Sequence, residues 1–339
     1  MSAALFVVPE GLNDPARPSG GNTYDRQLID GLRQRGWTVD LLTVHVGAHD
    51  AATAQRALAE LHDGSLVVID GLLAAALSED LVTHSRRLRL VLLVHMPQES
   101  PAEQRVASAS ACVVATSDWT RDWLINCYQL QAQRTRVVHP GVEAADVARP
   151  TAGGGRLLCV AALRKHKGQD VLVQALARLR GAHWRCTFVG SLDVDPVFST
   201  RVEMLRDGEG LRDRVRLAGP LTGPALNTVY AQADLLVLPS LMETYGMVIT
   251  EALARGLPVI ASDTGGTSEA LGADPGGTVP GLLVPPGDSA ALADAIQAWL
   301  VDEDLRGRLR AAAVRRRDTL RPWSDTAETM SAILTQVAA

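Results

Sequence analysis

The sequence predicts an α/β protein made of two doubly wound parallel sheets, and three observations carry that reading. Short apolar runs of strand length alternate with amphipathic stretches along nearly the whole chain, the pattern of parallel strands covered on both faces. Twelve such runs occur in 339 residues, too many for one comfortable sheet. Between the sixth and the seventh lies Ala148-Arg-Pro-Thr-Ala-Gly-Gly-Gly155, which has linker composition.

In the first half the strands are Leu5–Val8, Val39–Val44, Leu66–Ile69, Leu90–Val94, Cys112–Ala115 and Arg136–Val138. Amphipathic helices such as Thr23–Arg35 and Thr120–Leu130 lie between them. The second half repeats the scheme with Leu157–Val160, Cys186–Val189, Val215–Leu217, Leu235–Leu238, Val259–Ala261 and Leu282–Val284. A helix is expected from about Met247 to Arg255, because Gly256 stands at its C′ position and Pro258 stops it. Helices over Ala290–Val301, Leu305–Arg317 and Trp323–Val337 close the chain.

Composition removes several function classes. With 47 % hydrophobic residues the chain can bury a sizeable core, so disorder is excluded as its main state. The net charge of −5 arises from 13 basic and 17 acidic residues over 1–150 and near balance beyond. Neither half has the basic excess of a nucleic-acid binder or of a protein held on an anionic membrane. The four cysteines form no C-x-x-C and read as reduced thiols of a cytoplasmic protein. No segment has the roughly 18 uncharged apolar residues of a membrane span, and MSAALFVVPEG lacks the features of a signal peptide.

In doubly wound sheets ligands sit at the carboxyl ends of the strands, so chemistry is expected in the loops that follow them. Gly20 and Gly21, in Pro18-Ser-Gly-Gly-Asn-Thr-Tyr24, let a ligand approach a helix N-terminus, where free N–H groups suit an anion. Read structurally, the same loop is flexible, with Ser19 or Asn22 as helix cap. Ala162-Leu-Arg-Lys-His-Lys-Gly168 leaves the first strand of the second half with four nitrogen-bearing side chains. Only two of the 33 basic residues are lysines, and both, Lys165 and Lys167, lie here. Lys167 as point charge with Arg164 as bidentate donor would make a diphosphate clamp.

The third constellation runs from Pro239 to Ile260. Glu243 lies in a loop after a buried strand, and Glu251 lies on an apolar helix where a carboxylate needs a partner. The N–H groups of Thr244, Tyr245, Gly246 and Met247 open that helix and would suit a phosphate. His95 follows a buried strand and precedes the abrupt Met96-Pro97. Asp193-Val-Asp195 has the look of a metal-binding pair. Arg86-Arg87-x-Arg89 reads either as a simple charged edge or as a weak contact for membrane or a phosphorylated acceptor.

Glu243-x7-Glu251, with Gly246 and the following Ala-x-x-x-Gly-x-Pro-Val-Ile-Ala-Ser, resembles the E-x7-E signature of family 4 retaining glycosyltransferases. The resemblance covers nearly the whole chain: Gly20-Gly21, His95, His139-Pro-Gly-Val142, Lys167-Gly168 and Trp323 all match family positions. One match fails, since the arginine usual five residues before the donor-site lysine is Ala162 here, and Arg164 would have to replace it.

The resemblance implies a GT-B fold, with two Rossmann-like domains facing a central cleft. Residues 1–148 would bind the acceptor and 156–321 the nucleotide-sugar donor, with the helix over 322–339 packing back on the first domain. It implies hexose transfer with retention from a UDP- or GDP-sugar to a small-molecule, lipid or glycan acceptor, without a metal cofactor. Lys167 and Arg164 would hold the diphosphate, Glu251 the ribose, Glu243 the sugar hydroxyls and Leu221 the base, with His95 near the reacting centre. Two other classes fit less of the pattern: an acceptor-independent sugar-nucleotide 2-epimerase of the same fold and a non-catalytic sugar-nucleotide binding module.

Overall fold

The computed structural model describes residues 2–45 and 51–339. They form two compact units, one of Met1–Asn13, Gly20–Gly141 and Arg321–Ala339, the other of Asp14–Ser19 and Val142–Leu320.

The first unit alternates β1 (Ala3–Pro9), α1 (Gly20–Gln34), β2 (Thr38–Val44), α2 (Ala51–Glu60), β3 (Leu66–Asp70) and α3 (Ser78–His84). It continues with β4 (Arg89–Val94), α4 (Pro101–Ala109), β5 (Cys112–Ala115), α5 (Asp118–Tyr128) and β6 (Thr135–Val137). All strand pairs are parallel, in the order β2-β1-β3-β4-β5-β6. The strand interiors are fully buried, as the continuous apolar runs require: Val67, Val68, Ile69, Val91 and Leu92 expose no surface.

The second unit runs β7 (Arg156–Val160), α6 (Gln169–Ala177), β8 (Arg185–Val189), α7 (Pro196–Gly208), β9 (Val215–Leu217) and α8 (Gly223–Ala231). There follow β10 (Leu235–Leu238), α9 (Met247–Leu253), β11 (Val259–Ser262), α10 (Thr267–Leu271), β12 (Gly281–Val284), α11 (Ser289–Val301) and α12 (Glu303–Arg316). Its sheet is also parallel, ordered β12-β11-β10-β7-β8-β9. Successive residues feed opposite faces, so Leu157 and Leu235 enter one core and Leu158 and Leu236 the other. All twelve sequence-predicted strands are present, each within two residues of its expected ends.

The expected linker is instead part of the second unit. Ala148 N–H donates to Arg255 O at 2.9 Å and Arg149 N–H to Ala231 O at 3.3 Å. The buried Asp234 carboxylate accepts from Thr151 N–H and Thr151 Oγ1 at 2.5 Å and from Arg156 N–H at 2.8 Å. Gly154 O accepts from the indole of fully buried Trp299 at 2.8 Å. Pro and Gly here serve a tight, hydrogen-bonded path rather than a free tether, which moves the division from 148 to Gly141/Val142.

The last helix, α13 (Trp323–Ala338), belongs to the first unit. Trp37 Nε1 donates to Ser331 Oγ at 2.9 Å, and Thr326 Oγ1 donates to His139 O at 2.9 Å. A Cβ on Gly31 of α1 would come within 2.6 Å of Ala327 Cβ, so the two helix backbones approach closely. Ala327, Met330 and Leu334 are fully buried in that contact. Deleting residues 323–339 is therefore expected to uncover α1 and leave the first unit unfolded at room temperature, measured by loss of its cooperative melt. A truncated protein that melts unchanged would show that α13 adds nothing to this unit.

Candidate functional site

In each sheet the strand order reverses once, between β1 and β3 and between β7 and β10. Loops leaving adjacent strands in opposite directions open a crevice there. Gly20 and Gly21 follow β1 at the first of these points, and Lys167 and Glu243 follow β7 and β10 at the second.

In the second unit the loop after β7 forms a 3-10 turn over Lys165–Lys167 and ends on Gly168 with φ of 65°. A Cβ on Gly168 would overlap the carbonyl oxygen of Pro239, so this loop lies directly on the end of β10. Leu241 N–H donates to His166 O at 2.8 Å and fastens the two loops together. Lys167 Nζ consequently donates to Glu243 Oε2 at 2.7 Å, and Ser240 Oγ donates to the same oxygen at 3.1 Å. The lysine side chain is 23 % exposed and the glutamate 11 %, so the pair is shielded yet open to a ligand. Burial, then the Lys167 and Arg164 charges, push His166 down to about 4 against the opposing pull of Glu243, which leaves its ring neutral.

A third loop, unmarked by the sequence reading, underlies this pair. Gly266 N–H donates to Glu243 O at 3.1 Å, and a Cβ at Gly265 or Gly266 would overlap Glu243 O or Thr244 O. Two adjacent glycines just after β11 were the signal available for it.

The other expected donor residues are distributed unequally. Gly246 caps α9 with φ of 90° and Met247 begins the helix, which has only seven residues. Tyr245 is 8 % exposed and packs in the core, so only its backbone is available to a ligand. Thr244 and Leu221 are half-buried, the latter packed on the same core face. Glu251 accepts from Tyr230 Oη at 2.8 Å. Burial raises its carboxyl above the usual range, with Tyr230 and then Arg255 opposing the rise. Arg164 is exposed, and its side chain forms no hydrogen bond or ion pair among the described residues. Asp195 is a helix cap, its carboxylate accepting from Phe198 N–H at 3.0 Å at the start of α7.

In the first unit Gly20 and Gly21 are the first residues of α1. Asn22 Nδ2 donates to Gly11 O at 3.1 Å. A Cβ on Gly21 would stand 3.4 Å from His95 Cδ2, so the bare backbone leaves room for the ring. One turn on, Asp25 Oδ1 meets His95 Nε2 at 2.8 Å, and Asp70 Oδ2 at the end of β3 lies 3.9 Å from it. These three ligand-type groups lie within 4.8 Å of one another. Burial by itself would lower the His95 pKa, but the Asp25 and Asp70 carboxylates outweigh it and raise it to about 9. The loop after His95 is pinned by buried Glu103, which accepts from Gln98 N–H at 2.7 Å and Tyr128 Oη at 2.5 Å. Asp25 and Asp70 were legible in principle, as carboxylates on the apolar stripe of α1 and at the tip of an apolar strand.

Arg86, Arg87 and Arg89 stand at the opposite end of β4 from His95, about 20 Å away at 3.3 Å per residue. Arg87 is engaged internally, donating to Leu61 O at 2.6 Å and to Leu58 O. No described helix is long and apolar enough to cross a membrane.

Residues 149–316, which carry the Lys167–Glu243 pair, match the family model for glycosyl transferases group 1. This stretch is a group 1 glycosyl transferase domain. The D-inositol 3-phosphate glycosyltransferase of Xylanimonas cellulosilytica is 33 % identical over 251 residues, covering 69 % of this chain and 58 % of that protein. That of Catenulispora acidiphila, D-inositol 3-phosphate glycosyltransferase 1, is 32 % identical over 258 residues, covering 70 % and 60 %. The matched region thus spans about 60 % of the length of these curated relatives. Sucrose-phosphate synthase from Thermosynechococcus elongatus superposes with a TM-score of 0.81 at 23 % identity, covering 98 % of this chain and 99 % of that one. Anabaena Alr3699/HepE in complex with UDP-glucose gives 0.78 at 20 % identity over 99 % and 100 %. These likenesses establish the fold, which is GT-B. The group 1 domain accounts for the second sheet and for α11 and α12.

Proposed function

We propose that this protein is a retaining glycosyltransferase that moves a hexose from a nucleoside diphosphate sugar to a hydroxyl acceptor without a metal ion. The observation that carries this is the shielded Lys167–Glu243 pair at the strand reversal of the group 1 domain. Breaking the bond from the anomeric carbon to the diphosphate leaves an anion and an oxocarbenium-like sugar. Lys167, with the amides of Thr244, Tyr245, Gly246 and Met247, stabilises the diphosphate as charge develops. Lys167 and Ser240 orient Glu243 for the sugar hydroxyls. Glu251, kept in place by Tyr230, accepts from the ribose hydroxyls. Leu221 packs near the base, Arg164, whose side chain has no partner among the described residues, serves the diphosphate in place of the residue absent at Ala162, and His95 contacts the substrate. Same-face attack assisted by the leaving diphosphate gives retention, with acceptor binding assigned to the first unit. Trapping a covalent glycosyl adduct on wild-type Glu243 would overturn that course.

The test is a thermal-shift and turnover panel of UDP-, GDP- and ADP-sugars, with and without EDTA. One nucleotide class should stabilise the protein, by about 2.7 kcal/mol at a hundredfold excess over Kd, and EDTA should change nothing. Stabilisation by none, or loss of turnover in EDTA, would sink the proposal. Product formation from the sugar nucleotide alone would point instead to an epimerase. Asp193→Ala should keep full turnover, while Asp195→Ala should keep turnover but lower stability by about 1 kcal/mol through its lost helix cap, read from urea denaturation.

A further inference from the structure

Three groups converge at the carboxyl end of the first sheet. His95 Nε2 lies 2.8 Å from Asp25 Oδ1 and 3.9 Å from Asp70 Oδ2, and the two carboxylate side chains are only 1 % and 2 % exposed. Asp25 Oδ2 has no hydrogen-bond partner among the described residues. Nδ1 of His95 likewise accepts from and donates to none of them. Tyr24 meets the imidazole edge-on at 5.1 Å and donates its own hydroxyl proton to Val138 O at 2.9 Å. Burial holds that phenol neutral, so the charges facing the ring are the two carboxylates.

We propose that Asp25 and Asp70 hold His95 as an imidazolium whose Nε2–H is committed to Asp25, making Nδ1–H a fixed hydrogen-bond donor to an oxygen of the bound substrate. This rests on the reading of His95 as a substrate contact; Asp25 and Asp70 act through it as positioning residues. The chemistry turns on one proton. A neutral ring that gives its single N–H to Asp25 presents a lone pair at Nδ1, which repels a phosphate oxygen and can only accept from a hydroxyl. The second proton reverses that preference and adds a positive charge. Two buried carboxylates against one imidazole favour the protonated form despite the cost of burial, and His95 is raised to about 9. Asp70 is itself raised to about 7, by burial first and by Asp25, against the pull of His95. At neutral pH His95 therefore keeps its second proton, while Asp70 is close to half-ionised. The His95 contribution to stability is fully present below about pH 6.5, the ordinary histidine value, and is lost as pH rises through about 9.

The deciding measurement is ¹⁵N NMR of histidine-labelled full-length protein across pH 5–10, with the His95 signals assigned from His95→Gln. The wild type should carry protons on both His95 nitrogens until pH approaches 9, and Asp25→Asn should bring that midpoint down by at least a hundredfold in proton affinity, with Asp70→Asn moving it less. A wild-type His95 neutral at pH 7.5 overturns the proposal, whether or not the variants fold. Adding UDP-, GDP- or ADP-glucose should shift the Nδ1 signal; the nucleoside diphosphates alone doing the same identifies a phosphate oxygen, and failure to do so a sugar oxygen. In turnover of the donor that stabilises the protein, Asp25→Asn should lose at least tenfold at pH 8 and recover at pH 6, whereas a purely structural role would lower both equally. An imidazolium that no sugar nucleotide perturbs would remove the reading of His95 as a substrate contact and the donor role with it. Stabilisation of wild type, but not Asp70→Asn, by Zn²⁺ or Mn²⁺ would make the cluster a cation site and overturn the imidazolium.

Discussion

Lys167→Met is expected to cut turnover by about 10²–10³-fold, the scale seen when a donor aimed at developing charge is removed. The fold should persist, because the side chain is 23 % exposed and is not part of the core. Glu243 would keep Ser240 as a partner at 3.1 Å, so losing the lysine should cost about 1–3 kcal/mol at most. Glu243→Gln added to Lys167→Met should recover part of that stability, since no unpaired carboxylate then remains, and should recover no turnover. Arg164→Met is the informative comparison. Arg164 is exposed and unpaired among the described residues, so its loss should cost tenfold or less if Lys167 carries the diphosphate. Equal losses for the two variants would mean that the guanidinium does the larger share. Unchanged turnover in Lys167→Met would confine the lysine to a structural role.

Gly265→Ala should be among the most destabilising single substitutions in the second unit. Its φ of 57° is left-handed, and a Cβ would overlap the carbonyl oxygen of Glu243, which is backbone and cannot rotate aside. Gly210 offers a matched control, with φ of 67° and nothing within 4 Å of a built Cβ. Gly210→Ala should cost about 1 kcal/mol for the conformation alone. Gly265→Ala should cost about 3–5 kcal/mol, the range of changes that force strain into a packed backbone. Paired urea melts measure both, and equal losses would show that the loops part freely. In the same variant Glu243 moves, so residual folded protein should also lose turnover.

Much of the chain was legible from local pattern. Continuous apolar runs such as Leu66–Ile69 and Leu235–Leu238 predicted buried parallel strands because a strand covered on both faces needs no polar alternation. Glu243 and Lys167 stood out because each follows such a run directly, where a doubly wound sheet opens. The linker reading failed at 148–155 because Pro and Gly mark any irregular path, and composition cannot tell a free tether from one fastened to Asp234, Arg255 and Trp299. Tyr245 offers a ligand its backbone alone: its position in the motif says nothing of which way its ring turns, and the ring turns into the core. Asp195 looked like half of a metal pair, yet the same carboxylate is what a helix starting at Pro196 needs for its N-cap.

The sequence by itself determined the elements: twelve strands, the helices between them, two sheets, and the loops in which chemistry could sit. Those follow from interactions among residues a few positions apart, which periodicity records. Only the tertiary structure decided which loops meet. Lys167 reaches Glu243 across 76 positions and His95 reaches Asp25 across 70, and both meetings depend on strand order. No local pattern encodes that β10 lies beside β7, or β3 beside β1. The same holds for α13, whose Ala327 meets Gly31 of α1 from nearly the full chain away. Partner choice at such distances is set by the cooperative packing of a whole sheet, which is why the pairs that tune charge in this protein were visible as residues and not as pairs.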